Sequence, residues 1–269
     1  TMVYGIIKLI NFAHGDIYMM GAFVAYFAVL YLNVGFLPAL ILAMLTCLVL
    51  GVLIERIAYK PLRNATRIAA LITAIGMSFL LEYTMVFFVG AQSRAFPDVL
   101  PSVRLEFFGG KVYVTGKELL IYGVTIVLVV LLQFIVKKTK TGKAMRAVAY
   151  DRDAAMLMGV NIDHTISATF AIGSALAGAA GVLVAIYYSA INPLMGMTPG
   201  LKAFVAAVLG GIGIIPGAAL GGLIMGLVET LVIAYGQSTY RDAVAFAILI
   251  LILIIKPSGI LGSNVREKV

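Results

Sequence analysis

Eight predominantly apolar stretches divide this chain, at roughly 17–32, 37–54, 68–90, 119–136, 165–187, 201–213, 217–235 and 241–255, each separated from the next by a polar cluster. A coil of ~20 apolar residues matches the ~30 Å hydrocarbon core of a bilayer. Ile121 to Val136 and Ala243 to Ile255 carry no charge and no period of two, which argues for helices and against the wall of a β-barrel. Of 269 residues, 62 % are hydrophobic and 12 % charged, and the mean hydropathy is +1.07. That is too little charge to cover a water-soluble globule. The expected fold class is all-α, a polytopic membrane helical bundle of about seven to nine helices, with residues 1–269 forming one transmembrane domain. A net charge of +8 would suit nucleic acid if it covered one face; here it lies in short segments between spans, so the expected surroundings are a lipid bilayer and no nucleic acid. Cys47, the one cysteine, makes no internal disulfide.

Lys and Arg counts orient the spans. The 55–67 segment holds Arg56, Lys60, Arg63 and Arg67, and 137–164 holds Lys137, Lys138, Lys140, Lys143, Arg146 and Arg152. Two spans separate these segments, so both are expected in the cytoplasm, leaving 91–118 outside. Within that external loop, Val103 to Val114 reads as two short strands around Gly109-Gly110, an extracytoplasmic β-hairpin. The 201–213 stretch is short for a span, about 20 Å as a helix. It is bounded by Pro199 and Pro216 and is expected to cross, which puts Lys256, Arg266 and Lys268 in the cytoplasm; a re-entrant path would put them outside. Only Thr1 to Ile10 precede the polar cluster Asn11 to Asp16, about 15 Å at helical rise, so a preceding half-span is expected.

Enzymatic constellations are missing. His14 and His164 stand on separate segments and suggest neither a zinc site nor a nucleophilic triad, so no catalytic and no metal-ligating residues are expected. Gly210 to Gly217 lacks the sixth-position glycine of a dinucleotide loop, and Thr141-Gly142-Lys143-Ala144 is no Walker loop. The chain therefore holds no cofactor of its own, and energy for pumping must come from an ion gradient or another protein. Gly173, Ala177 and Gly181, and likewise Gly217 with Gly221, repeat at four-residue intervals that let helices approach closely. Pro199-Gly200 and Gly210 to Gly217 also free backbone groups at membrane depth, as a broken helix beside a pathway would. Glu82 and Glu229 lie inside apolar runs, where an ionised carboxylate costs at least ~2.5 kcal/mol, so each should be neutral, paired or facing a wet interior. Residues 145–159 have helical propensity, spaced apolar residues and a terminal Gly159, the pattern of a short amphipathic cytoplasmic helix pair able to dock a partner.

Several motifs, in order along nearly the whole chain, carry a resemblance: Tyr4 to Asp16 (YGIIKLINFAHGD), Ile54 to Arg63 (IERIAYKPLR), Thr141 to Ala147 (TGKAMRA), Leu157 to Asn161 (LMGVN), Gly200 to Gly213 (GLKAFVAAVLGGIG) and Pro257 to Gly262 (PSGILG). In these the chain resembles the permease subunits of bacterial branched-chain amino acid ABC importers, the H type of the two paired permeases. The resemblance implies the permease fold of that importer type, in the bacterial cytoplasmic (inner) membrane. It also implies a second homologous permease, two ABC ATPase subunits that bind ATP and Mg, and an extracytoplasmic amino-acid-binding protein delivering leucine, isoleucine or valine. By that similarity Arg146, Asp151, Ala155, Met158 and Gly159 fall in the ATPase-coupling segment, 137–164. Asn11, His14, Asn192, Gly211, Gly213 and Glu229 are the transport-path candidates. Glu229 matches the family's Gly-x-x-Glu at Gly226 to Glu229, whereas amides are common near Glu82, so Glu229 is preferred. Urea and short-amide permeases share the Asn-x-Ala-His-Gly segment, which leaves the substrate open within the family. A stand-alone secondary transporter would show an internal repeat, and none is evident.

Overall fold

The computed structural model describes residues 2–7, 11–63, 65–100, 104–107 and 112–262. Among these, helices follow in the order α1 (Met2–Ile7), α2 (His14–Leu32), α3 (Phe36–Ile54), α4 (Arg67–Val89), α5 (Gly116–Lys138), α6 (Lys140–Tyr150), α7 (Arg152–Leu157), α8 (Ile162–Tyr188), α9 (Met197–Gly210), α10 (Ile215–Tyr235) and α11 (Arg241–Ile255). Seven helical stretches are long and apolar enough to cross a membrane, and α9, with 14 residues, is an eighth and shorter apolar helix. Four short strands complete the described residues: β1 (Arg94–Ala95), β2 (Arg104–Phe107), β3 (Val112–Thr115) and β4 (Ala190–Ile191).

The core is a trio, α2, α3 and α8, held together by residues too small to keep backbones apart. A Cβ on Gly21 would stand 2.4 Å from Gly178 Cα, one on Gly181 would stand 2.0 Å from the Tyr18 carbonyl oxygen, and one on Gly51 would meet Ser174 Oγ at 2.0 Å. In hydrocarbon, lipid tails are as apolar as leucine, so contact of this kind is what holds helices together. The Cys47 thiol, fully buried, donates to the Ile17 carbonyl at 3.4 Å and ties α3 to α2. Around this trio, α5 buries none of its residues and turns Ile126, Val127 and Val130 outward, and α4, α10 and α11 do much the same. Such faces suit lipid or the apolar face of another membrane helix.

Three boundaries differ from the sequence expectation. Helix α2 begins at His14, three residues before the apolar run, so His14, Gly15 and Asp16 are helical, and Gly15 and Asp16 are buried. Helix α3 continues past Ile54 through a π-helical turn, Glu55–Tyr59, and a 3₁₀ turn, Lys60–Leu62. Glu55 and Tyr59 are thereby buried instead of lying in a solvated connection. Helix α9 starts at Met197, with Pro199 inside its first turn, where a missing N–H costs nothing, and it ends at Gly210 before Gly211 at φ +105°.

Helices α9 and α10 form a tight antiparallel pair. A Cβ on Gly210 would lie 1.9 Å from the Gly217 carbonyl oxygen, and one on Gly221 would lie 2.1 Å from that of Ala206. The tail after α11 folds back on their turn, with Ile260 N–H donating to Leu209 at 2.8 Å and Leu261 N–H to Gly210 at 3.2 Å. That turn lies beside α1 through Gly213 and Gly5, and α1 packs on α6. Lys256 therefore stands at the same end of the bundle as the 137–164 segment, as a crossing α9 requires; Arg266 and Lys268 lie outside the described residues.

At the opposite end, β1 pairs antiparallel with β4, Arg94 opposite Ile191. Strands β2 and β3 pair antiparallel with Arg104 opposite Thr115 and Phe107 opposite Val112. The turn at Gly109-Gly110 lies outside the described residues. Thr115 then closes a capping box with Glu118, which starts α5 cleanly.

Candidate functional site

Helix α8 has 27 residues, about 40 Å at helical rise, and Gly173 lies about 16 Å along it. A Cβ on Gly173 would approach His14 Cε1 at 3.8 Å, so α2 begins near mid-depth in the bundle. Helix α9 begins at the same level, since a Cβ on Gly15 would stand 2.4 Å from the Gly196 carbonyl oxygen and 3.3 Å from Gly200 Cα. Two helix starts thus meet inside the bundle, an arrangement tolerated only where the backbone is covered by protein or lines a cavity.

A cavity of about 660 Å³ opens there. Asn11, His14, Asp16, Tyr18, Ser78 and Glu82 form its polar wall, and Val3, Phe79, Leu132, Leu176, Phe204 and Ile212 are among its apolar ones. Asp16 is 1 % exposed and Glu82 5 % exposed, and the two carboxyls lie side by side, with the Ser78 hydroxyl donating to Asp16 Oδ2. Asn11 is fixed by Tyr59, whose hydroxyl donates to Asn11 Oδ1 at 2.7 Å. Beyond this bond, Tyr59, Arg63, Val148 and Arg152 line a second cavity of about 470 Å³. This hydrogen bond, from the π turn after α3 to the residues that lead into α2, joins the wall of one space to the wall of the other.

The transport-path candidates separate. Asn11 and His14 line the central cavity. Asn192, Gly211, Gly213 and Glu229 are not on its wall among the described residues. Asn192 accepts the Leu194 N–H in the descent to α9, and Gly211 and Gly213 have positive φ in the α9–α10 turn. Glu229 pairs with Lys202 at 2.9 Å and Arg241 at 3.9 Å, and Lys202 also reaches Asp242 at 2.6 Å. Asp16 and Ser78 were missed by sequence reasoning. The available signal is the polar cluster Asn11 to Asp16, whose composition does not distinguish a loop from the helix start inside the bundle that the structure shows. Glu55 was missed too: it is fully buried, ion-paired with Arg63, and accepts the Ser167 hydroxyl at 2.6 Å.

The coupling candidates lie together in α6 and α7. Thr139 ends α5 and caps α6, accepting Gly142 N–H at 3.1 Å. Arg146 donates from Nη1 to the Val136 carbonyl at 2.7 Å and the Lys137 carbonyl at 3.2 Å, closing the end of α5. Asp151 caps α7 by accepting Ala154 N–H at 3.0 Å, Ala155 is buried against the bundle, and Gly159 at φ +80° ends the pair. Tyr150, Leu157 and Met158 project outward, 93 %, 86 % and 84 % exposed. Arg152 reaches back to the Ile6 carbonyl at 3.3 Å, connecting this knob to α1.

A multi-pass helical bundle with a half-polar cavity at mid-depth and an exposed apolar knob at one end is a frame that suits a membrane transport subunit. The chain belongs to the family described as branched-chain amino acid transport system / permease component, whose model matches residues 1–253. It is 42 % identical to the high-affinity branched-chain amino acid transport system permease protein LivH of Salmonella typhimurium and to BraD of Pseudomonas aeruginosa, covering 100 % of this chain and 91 % of each relative. A probable branched-chain amino acid transport permease protein LivH of Methanocaldococcus jannaschii is 30 % identical over 99 % of this chain and 87 % of its own length. No solved structure matches the chain significantly.

Proposed function

We propose that the chain is the permease subunit of an ATP-driven, binding-protein-dependent importer of leucine, isoleucine and valine in the cytoplasmic (inner) membrane of a bacterium. It works beside a second, homologous permease, with two ABC ATPases that bind ATP and Mg and an extracytoplasmic binding protein that delivers the amino acid. The observation that carries the reading is the central cavity: polar groups gather on one wall and aliphatic and aromatic groups on the others, as a zwitterion with a hydrocarbon side chain needs. The relatives' printed function supports the same substrate class.

The basic end, with 55–67 and 137–164, faces the cytoplasm by the charge rule, which puts β2–β3 and the β1–β4 pair outside. Substrate enters from the hairpin side, rests in the central cavity, and leaves past the Tyr59–Asn11 bond into the lower one. Tyr150, Leu157 and Met158 dock in an ATPase, and Arg152 carries the movement of α7 to α1. Alternating access then comes from the ATPases' differential hold on the two states. The test is uptake of labelled leucine, urea and acetamide into proteoliposomes holding this chain, its partner permease and both ATPases, omitting binding protein and ATP in turn. Leucine uptake that requires both is the expected result. Uptake of another solute would replace the substrate, and accumulation by this chain alone on an ion gradient would overturn the reading.

A further inference from the structure

Among the described residues, the buried Glu55 is paired with Arg63, and the half-buried Glu229 is paired with Lys202. Asp16 and Glu82 have each other and Ser78, and among the described residues no Lys, Arg or His stands within ion-pair distance of either. Two adjacent carboxylates away from water cannot both stay ionised without a cation or a shared proton between them. A helix-to-helix hydrogen bond would need one acid and one partner. Here two acids and a hydroxyl converge on the wall of a space large enough for a small organic molecule.

The same wall holds unsatisfied donors. Tyr18, 7 % exposed, has a hydroxyl without a hydrogen-bond partner, and Asn11 Nδ2 is likewise buried and unpartnered although its Oδ1 is held by Tyr59. A polar group left unpaired away from water is unfavourable, so a chain that keeps both beside a cavity is arranged for an occupant that accepts hydrogen bonds. An occupant that brings three N–H donors at one end and a carboxylate at the other meets both demands.

We propose that Asp16 and Glu82, with Ser78, hold the α-ammonium group of the amino acid in transit, while the Tyr18 hydroxyl and the Asn11 amide face its carboxylate. The proposal rests on the import reading above and locates the substrate within it. The aliphatic side chain then lies against Phe79, Leu132, Leu176 and Phe204.

The experiment is direct binding of labelled leucine to the complete permease–ATPase complex in nanodiscs without binding protein, with two competitors. One is 3-methylbutylamine, which keeps the amine and lacks the carboxylate; the other is 4-methylpentanoate, which keeps the carboxylate and lacks the amine. The amine should displace leucine, the acid should fail at hundredfold excess, and Glu82→Gln and Asp16→Asn should each weaken leucine binding at least tenfold. Absence of saturable binding, equal competition by 4-methylpentanoate, or unchanged affinity in both folded variants would overturn the proposal. Should the variants not assemble, the competition on the unaltered complex decides. Binding-protein-dependent uptake in the same preparation reports separately on the transport reading: uptake with unchanged variant binding sinks only the ammonium site, and loss of uptake in the unaltered complex sinks the reading beneath it.

Discussion

At the scale of single residues, the strongest electrostatic commitment is Glu55, fully buried at the end of α3. Arg63 holds it from just after the following 3₁₀ turn and also reaches Asp163 at the start of α8, where Lys60 pairs with Asp163 at 2.8 Å. The four charges are unequal in worth. Removing the cation from a buried acid leaves an uncompensated charge, which costs about 3–5 kcal/mol, whereas an exposed pair contributes about 0–1 kcal/mol. Arg63→Ala should therefore lower the thermal midpoint of the purified complex sharply, and Lys60→Ala should shift it little. Equal shifts would show that Glu55 is held by something other than Arg63. Nothing in the sequence separated Glu55 from the basic loop that follows it, because its burial comes from the π turn. That turn is set by packing on α8, not by local propensity.

At the scale of elements, the spans were legible and the site was only half so. Apolar runs placed the membrane helices within a few residues, since burying hydrocarbon in lipid leaves a long, continuous signature. The helix pair α6–α7 showed in its spaced apolar residues and terminal glycine. The start of α2 did not show, because a polar helix start inside a bundle has the same composition as a loop at the interface. Asp16 and Glu82 lie on different helices, and no local pattern brings them together; Glu229, preferred on a motif, has its own lysine. The α5–α6 corner gives an element-scale prediction. A Cβ on Gly142 would lie 2.2 Å from the Ile135 carbonyl oxygen and 2.3 Å from that of Val136, both backbone atoms that cannot give way. Gly142→Val should open the corner and displace α6 while leaving the spans inserted. Normal membrane levels with uptake reduced at least tenfold is the expected outcome, and wild-type uptake would show that the corner tolerates the side chain.

At the same scale, Arg146 and Asp151 are structural groups within the 137–164 segment, one closing α5 and the other starting α7. Losing an N-cap costs about 1 kcal/mol, and Asn caps nearly as well as Asp. Asp151→Asn should therefore keep transport and Asp151→Arg should lose it. Equal loss in both would mean that the charge itself, and not the cap, is what a partner reads.

At the scale of the whole molecule, two surfaces differ in kind. The outward faces of α4, α5, α10 and α11 are broad and aliphatic, as lipid requires, while Tyr150, Leu157 and Met158 form a small exposed cluster flanked by Arg146, Arg152 and Asp153. An apolar centre with a charged rim is the anatomy of a protein interface. Combined Leu157→Asp and Met158→Asp should reduce co-purification of the ATPase subunits at least tenfold and leave pairing with the second permease intact. Undiminished co-purification would move the docking surface elsewhere.

Sidedness joins these surfaces to the path of α9. The tail at 256–262 is bonded to the α9–α10 turn, and that turn lies beside α1, which packs on α6. If α9 completes a crossing, Lys256 and the α6–α7 knob share one side of the membrane and Ser238 lies on the other; a re-entrant α9 would exchange the positions of Lys256 and Ser238. The single native cysteine makes the test simple, because Cys47 is fully buried and its replacement by alanine removes one small side chain and its weak thiol bond. In a Cys47→Ala background, single cysteines at Tyr150, Ser238 and Lys256 should react with an impermeant maleimide in a fixed pattern. Positions 150 and 256 should label only from the cytoplasmic face and 238 only from the outer face. Labelling of 256 together with 238 and opposite 150 is not a possible outcome for an intact α11, which separates those two positions by a full span. Labelling of 238 with 150 would therefore establish the re-entrant path.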